Sequence, residues 1–84
     1  MRIAVITGAS SGMGQEFARR IEASEKFDEI WVIARRLERL EELAKSLETK
    51  TRCIALDLSR GECLDEYAAL LACEKPEVAV LVNG

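Results

Sequence analysis

Histidine is absent from this 84-residue sequence, and proline and aromatic residues are scarce. Without an imidazole, the chain lacks the side chain that most often exchanges protons near neutral pH, and it lacks a common zinc ligand. Long apolar runs are also missing, because the one nearest the N-terminus is only Ile3–Ile6. Such a run is shorter than the core of a signal peptide, and a membrane-spanning helix needs about 20 apolar residues. We therefore expect neither a signal peptide nor a membrane partner.

Cysteine spacing and charge exclude further classes of protein. The three cysteines, Cys53, Cys63 and Cys73, form no Cys-x-x-Cys pair, so neither a redox motif nor a zinc site is indicated. We expect buried free thiols in a reducing compartment, and hence a soluble cytoplasmic protein without a metal. The formal net charge is −3, and no basic field marks the chain as a nucleic-acid binder.

Apolar runs and helical segments alternate along the chain. Continuous runs of aliphatic residues are typical of strands buried on both faces, as in a parallel sheet covered by helices. The segments between them carry apolar residues at helical spacing. The order β-α-β-α-β-α-β predicts an α/β fold with right-handed crossovers and a single domain. The four expected strands are 3–6, 30–34, 53–56 and 78–82.

A glycine-rich stretch joins the first strand to the first helix, and it reads Thr-Gly-Ala-Ser-Ser-Gly-Met-Gly over residues 7–14. The first amides of a helix have no partner within the helix, and the helix dipole favours negative charge. We expect Gly8 to form a sharp turn, Gly12 to let the backbone approach a diphosphate, and Gly14 to allow close packing of helix and strand. The stretch therefore predicts a phosphate site.

Three other residues of this stretch are candidate cofactor contacts. Ser10 and Ser11 add hydroxyl donors, and Met13 offers a backbone N–H while its side chain is expected to enter the core. The alternative is that the glycines only serve a tight turn. A P-loop of the kinase type is excluded, because no Gly-Lys-Ser/Thr follows.

The spacing Gly-x-x-x-Gly-x-Gly in residues 7–14 resembles the short-chain dehydrogenase/reductase family. It differs from the Gly-x-x-Gly-x-x-Gly of the extended, epimerase-like branch. The resemblance covers the entire chain. It implies a Rossmann-type parallel sheet in the order 3-2-1-4, a nicotinamide dinucleotide cofactor, and hydride transfer between the cofactor and an alcohol or carbonyl substrate.

The end of the second strand bears on the choice of dinucleotide. An acidic residue there binds the ribose hydroxyls of NAD, but this strand ends in Ala34 followed by Arg35 and Arg36. Guanidinium groups suit a 2′-phosphate, and in the resembled family an arginine at this point accompanies NADP(H). We expect NADP rather than NAD. The alternative is that both arginines form surface ion pairs with Glu38 or Glu41.

Two further candidate sites follow the third and fourth strands. In the resembled family an Asp-Leu pair after the third strand contacts adenine, which implies that Asp57 accepts from the exocyclic amine and Leu58 donates a backbone N–H. The alternative is that Asp57 caps the following turn. Asn83 matches the first asparagine of the family's Asn-Asn-Ala-Gly, whereas Gly84 departs from it. Asn83 is an expected cofactor-binding or strand-anchoring residue.

Catalytic residues are not assigned. The family uses a tyrosine and a lysine four residues later, but Leu71 follows Tyr67 at that spacing, and Lys75 lies too far along the helix. We expect residues 1–84 to be the truncated N-terminal part of an NADP-dependent oxidoreductase with a small-molecule substrate, inactive by itself. Alternatives are a dinucleotide-binding sensor or regulatory module, and an interaction piece that self-associates through the edge of the Val78–Val82 strand.

Overall fold

Strands and helices alternate along the whole chain, in the order that the sequence predicts. The structure is a computed structural model, and it describes residues 1–9, 12–57 and 60–82 together with the backbone of Asn83. Each expected strand is present. The first and fourth strands are one residue longer at both ends, and the second is one residue longer at its start, whereas the third begins two residues earlier than expected and ends at Ala55, one residue before its expected end. The elements are β1 (Arg2–Thr7), α1 (Gly12–Ser24), β2 (Glu29–Ala34), α2 (Leu37–Ser46), β3 (Thr51–Ala55), α3 (Gly61–Glu74) and β4 (Glu77–Asn83).

The four strands form one parallel sheet in the order β3-β2-β1-β4. This confirms the Rossmann-type order. Val5 of β1 lies between Trp31 of β2 and Leu81 of β4. The register of β1 and β4 shifts between Ile3 and Ala4, which pair with Val78 and Val80 respectively. The carboxyl ends of all four strands therefore meet at one edge of the sheet.

One face of the sheet is covered by α1 and α2. These helices bury a stripe of small and aliphatic side chains against alternate residues of β1 and β2, as the two-residue period of a strand requires. The cluster contains Ala4, Ile6, Ile30, Val32 and Ala34 of the strands and Ala18, Leu40, Leu43 and Leu47 of the helical layer. Every residue of β2 is buried, which explains why its sequence is apolar on both faces.

The opposite face of the sheet is covered by α3. Its half-buried Tyr67, Leu70 and Leu71 pack against the other set of alternate strand residues, which are Ile3, Val5, Trp31, Ile33 and Ile54. No residue of α3 is fully buried. The expectation of buried cysteines is therefore wrong, because Cys73 of this helix is exposed and Cys63 of the helix and Cys53 of β3 are only half-buried. The described part of the chain contains no helix with the length and apolar character to cross a bilayer.

Candidate functional site

The turn after β1 is held against the end of β2. Gly8 has a φ of 67°, a left-handed conformation that glycine adopts without a steric penalty. Ala9 follows it and is completely buried, and its N–H donates to the Ile33 carbonyl over 3.3 Å. The glycine at this position therefore lets the chain reverse direction directly above the carboxyl edge of the sheet.

Gly14 lets α1 approach this turn closely. A Cβ at Gly14 would lie 2.6 Å from the Gly8 carbonyl oxygen and 2.8 Å from Ala9 Cα. Both distances are shorter than atoms tolerate without displacement of the backbone. The expectation that Gly14 permits close packing of helix and strand thus has a geometric basis in these contacts.

Gly12, in contrast, begins α1 beside open space, since a Cβ there would have no atom within 4 Å. The first turn of α1 contains no acidic residue, whereas the first turns of α2 and α3 contain Glu38 and Glu62. The positive end of the α1 dipole is therefore not compensated by a carboxylate of that turn. An anionic group fits this end of the helix.

The expectation that the Met13 side chain enters the core is wrong, because that side chain is 70% exposed. Consecutive helical residues point about 100° apart. Because Gly14 lies against the turn and Ala18 is buried on the same face, Met13 is directed away from the sheet. The backbone N–H of Met13 remains a candidate donor to the cofactor, because the direction of the side chain does not affect it.

Arg35 and Arg36 follow β2 at the same edge of the sheet. Ala34 is the last strand residue and is buried, while both arginines are exposed. Among the described residues neither guanidinium forms an ion pair. The alternative of pairing with Glu38 or Glu41 is therefore wrong for this structure.

Asp57 lies just beyond β3 at this edge and is half-buried. The preceding Leu56 donates its N–H to the Ala34 carbonyl over 3.0 Å, which ties the end of β3 to β2. The backbone carbonyl of Asp57 accepts the Arg60 N–H over 3.0 Å and so begins the turn into α3. The adenine contact of Asp57 and its alternative role as a side-chain cap both stay predictions.

Several expected site residues lie outside the described residues. They are Ser10, Ser11 and Leu58, together with the side chain of Asn83. The backbone of Asn83 pairs with Thr7 at the end of β1, so its position in the chain is at the carboxyl edge of the sheet.

Thr7 is a residue of this edge to which the sequence analysis gave no role. Its hydroxyl donates to the Val82 carbonyl over 3.3 Å, so a side chain of β1 ties the end of β4 to the turn that carries Gly8. The signal in the sequence is a hydroxyl residue in the last strand position before the first glycine. Thr7 positions the backbone of the site.

Tyr67 lies on the opposite layer and has no lysine one turn away. Its ring packs against the cluster below α3, and burial raises the pKa of its phenol. Lys75 stands at the end of α3 with a φ of 46°.

Within the described ranges, no three metal-ligating side chains come together.

Comparisons with known proteins agree with this architecture. The family model for short chain dehydrogenases matches residues 2–84. A very-long-chain 3-oxoacyl-CoA reductase of Pyricularia oryzae is 38% identical over 96% of the chain. A metagenomic short-chain oxidoreductase in complex with NADP is 26% identical with a TM-score of 0.80 over 95% of the chain. A short-chain dehydrogenase of Sphingobium yanoikuyae in complex with NADPH is 28% identical with a TM-score of 0.81 over 96% of the chain.

The chain spans only part of each of these proteins. It covers 25% of the Pyricularia reductase, 37% of the metagenomic oxidoreductase and 32% of the Sphingobium dehydrogenase. The family model nevertheless matches almost every residue of the chain, and the strand order is the one that the motif implies. The chain therefore belongs to the short-chain dehydrogenase/reductase family.

Proposed function

We propose that this chain binds NADP(H) and forms the cofactor-binding part of an NADP-dependent oxidoreductase. Members of the family are oxidoreductases that use a nicotinamide dinucleotide, and two structural neighbours are complexes with NADP or NADPH. The carrying observation is the pair of exposed guanidinium groups of Arg35 and Arg36, which form no ion pair with any residue that the structure describes. They follow β2 at the position where an NAD-binding site has an acidic residue.

The described residues suit the two charged parts of this cofactor. The open start of α1 at Gly12, with its uncompensated dipole, is suited to the diphosphate. Arg35 would hold the 2′-phosphate by charge-assisted hydrogen bonds, with Arg36 as a second partner. Asp57 at the same edge would accept from the adenine amine. Ser10, Ser11, Leu58 and Asn83 remain predicted contacts.

The bound cofactor would supply the hydride for reduction of a carbonyl group or accept one from an alcohol. We propose that the 84-residue chain binds the cofactor without turnover, because Tyr67 of α3 packs against the sheet and Leu71 occupies the position one turn later. Residues of the substrate site are not assigned in this chain. A cytoplasmic location also remains a prediction from the sequence.

Dinucleotide titration of Arg35→Asp tests the proposal. We expect the dissociation constant for NADPH to rise by about tenfold or more, since a bidentate or charged contact is worth about 1.5–3 kcal/mol. NADH binding should change by less than about twofold or improve, since the new carboxylate suits ribose hydroxyls. Fluorescence of the reduced dinucleotides or calorimetry measures both constants.

Arg39→Asp is the matched control, because Arg39 is an exposed arginine in the first turn of α2, four residues after Arg35. It makes the same change in net charge and should alter the two affinities equally. Equal losses for NADPH and NADH in Arg35→Asp would refute the assignment of Arg35. Failure of the parent chain to bind either dinucleotide would refute the proposal as a whole.

A further inference from the structure

The residue before Asp57 is tied to the end of β2 through its backbone. Leu56 follows the last residue of β3, and its N–H donates to the Ala34 carbonyl over 3.0 Å. That carbonyl belongs to the peptide group that joins Ala34 to Arg35. One hydrogen bond therefore connects the residue before the proposed adenine contact to the peptide group before the proposed 2′-phosphate contact.

The side chain of Leu56 anchors the same point of the chain in the core. It is half-buried and packs against the cluster on the α3 face, to which Trp31 and Ile54 belong. Ile54 and Leu56 are two residues apart and contact the same cluster, as alternate residues of an extended chain do. Leu56 thus continues the pattern of β3 by one residue beyond the last pair of the ladder, Ala34 and Ala55.

The backbone on the other side of Asp57 is fixed as well. The Asp57 carbonyl accepts the Arg60 N–H over 3.0 Å, where the chain turns into α3. The backbone that carries this half-buried carboxylate is therefore held on both sides by contacts within the chain. A hydrogen-bond acceptor that is held in advance loses less conformational freedom when it binds a donor.

We infer that Leu56 is a positioning residue for recognition of the adenine base. It does not touch the cofactor itself, but holds Asp57 where the carboxylate accepts a hydrogen bond from the exocyclic amine. The inference rests on the proposed function, because it concerns the adenine end of the same cofactor. Leu56 thereby affects the choice of base, whereas Arg35 affects the choice between NADP and NAD.

A leucine that only fills the core would have a different effect on binding. Loss of packing lowers the stability of the fold and weakens all ligands of the folded state alike. Loss of position changes the discrimination between two bases that differ in the group facing Asp57. The ratio of two affinities measured on one variant separates these roles, because any unfolded fraction lowers both affinities equally.

The probes for this ratio are NADPH and its analogue in which hypoxanthine replaces adenine. The analogue has an oxygen in place of the exocyclic amine, so at that position it offers no donor to a carboxylate. Both probes keep the 2′-phosphate and the fluorescent reduced nicotinamide, so fluorescence titration measures both dissociation constants. We expect the parent chain to bind NADPH about fivefold more tightly or better, because the analogue loses a hydrogen bond to a charged acceptor.

Leu56→Ala should reduce this preference to less than about twofold, because the shortened side chain no longer anchors the residue before Asp57. Leu56→Met keeps the volume and the apolar character, so its preference should stay within about twofold of the parent value. Asp57→Ala should also abolish the preference. Adding Leu56→Ala to Asp57→Ala should then leave the ratio unchanged, because Leu56 acts through Asp57.

Leu70→Ala is the matched control, since Leu70 is a half-buried leucine of α3 that packs against the same cluster. It lies towards the end of α3, whereas Asp57 precedes the start of that helix. Leu70→Ala should lower the urea midpoint as Leu56→Ala does, but it should keep the parent's preference for adenine. Circular dichroism establishes that each variant is folded.

Hydrogen exchange of the parent chain tests the same inference without a variant. In the absence of cofactor, the Leu56 amide should exchange at least about tenfold more slowly than in an unstructured chain, because it is bonded to the Ala34 carbonyl. An amide that becomes protected only when NADPH is bound would contradict positioning in advance of binding.

Three further outcomes would overturn the inference. They are a parent chain that binds both probes equally, a preference that survives in Leu56→Ala, and a preference that Leu70→Ala loses to the same extent. NADPH still binds in each of these cases, so the cofactor proposal is unaffected. Failure of the parent chain to bind either probe would refute the cofactor proposal, and the positioning role of Leu56 with it.

Discussion

The two glycines of α1 differ in what surrounds them, and this difference separates packing from ligand approach. Gly14 lies against the backbone of Gly8 and Ala9, whereas Gly12 faces open space. A sequence motif assigns both positions to glycine without saying which one the fold itself requires. The distances to a hypothetical Cβ make that distinction.

Replacing Gly14 with alanine should therefore destabilise the protein, and replacing Gly12 should not. We expect Gly14→Ala to lower the free energy of unfolding by about 1–3 kcal/mol, because the added methyl group forces α1 away from the turn. Gly12→Ala should change it by less than about 1 kcal/mol, since alanine is the better helix former and meets no atom. Urea denaturation measures both. Equal stability of the two variants would contradict the packing role of Gly14.

The same residues show what the sequence could and could not predict at this scale. The glycine at the turn follows from the motif, because the chain reverses there through a left-handed backbone conformation that glycine adopts without a steric penalty. The outward direction of Met13 could not be read from spacing, because Met13, Phe17 and Ile21 also recur at helical intervals. The close approach at Gly14 decides which stripe of α1 is buried, and that contact is tertiary.

At the scale of elements, the apolar runs predicted the strands well because both faces of a covered parallel sheet are buried. The strand residue that the apolar pattern did not predict is Glu29. It is the first residue of β2, and it is only 5% exposed. A charged residue next to an apolar run is typical of a turn. The apolar pattern therefore predicted that this strand begins at Ile30, one residue too late. Its position two residues before Trp31 was the available signal, since alternate strand residues share a face.

The third helix has no fully buried residue, and its end carries local strain. Lys75 adopts a φ of 46° while its N–H donates to the Leu71 carbonyl over 2.8 Å. A side chain in this conformation costs about 1 kcal/mol, and glycine avoids that cost at the end of a helix. Pro76 follows directly and ends any continuation of the helix.

Lys75→Gly should consequently raise the free energy of unfolding by about 0.5–1 kcal/mol. Lys75→Ala is the matched control, since it removes the same ammonium group but keeps a Cβ, and it should bring no such gain. Thermal unfolding followed by circular dichroism measures both variants. A gain in Lys75→Ala as large as in Lys75→Gly would show that charge, not backbone conformation, is responsible.

Across the whole molecule, a polar network joins the sheet to α3 at the end opposite the candidate site. Glu29 accepts from the Trp31 indole over 2.9 Å and pairs with Lys50 at 3.0 Å. Arg52 lies over the same indole ring and pairs with Glu74 of α3. The network therefore connects β2, β3 and α3, and its central carboxylate is buried.

Acid should weaken the fold through Glu29. The hydrogen bond from Trp31, opposed by burial and aided by Lys50, lowers the pKa of the Glu29 carboxyl. A lowered folded-state pKa contributes stability that is fully present above the ordinary value of about 4.3 and is lost as the pH falls through the folded value. Ionisation of Glu29 thus favours the folded state at neutral pH.

Glu29→Gln should reduce the free energy of unfolding at pH 7 by about 1–3 kcal/mol, because a charged acceptor in a buried network is lost. It should also flatten the loss of stability between pH values of about 5 and about 3, since the titrating group is gone. Glu16→Gln, which alters an exposed pair with Arg20, should keep the parent's acid profile and cost less than about 0.5 kcal/mol. Urea denaturation across this pH range measures all three chains, and an unchanged acid slope in Glu29→Gln would place the acid sensitivity on other carboxylates.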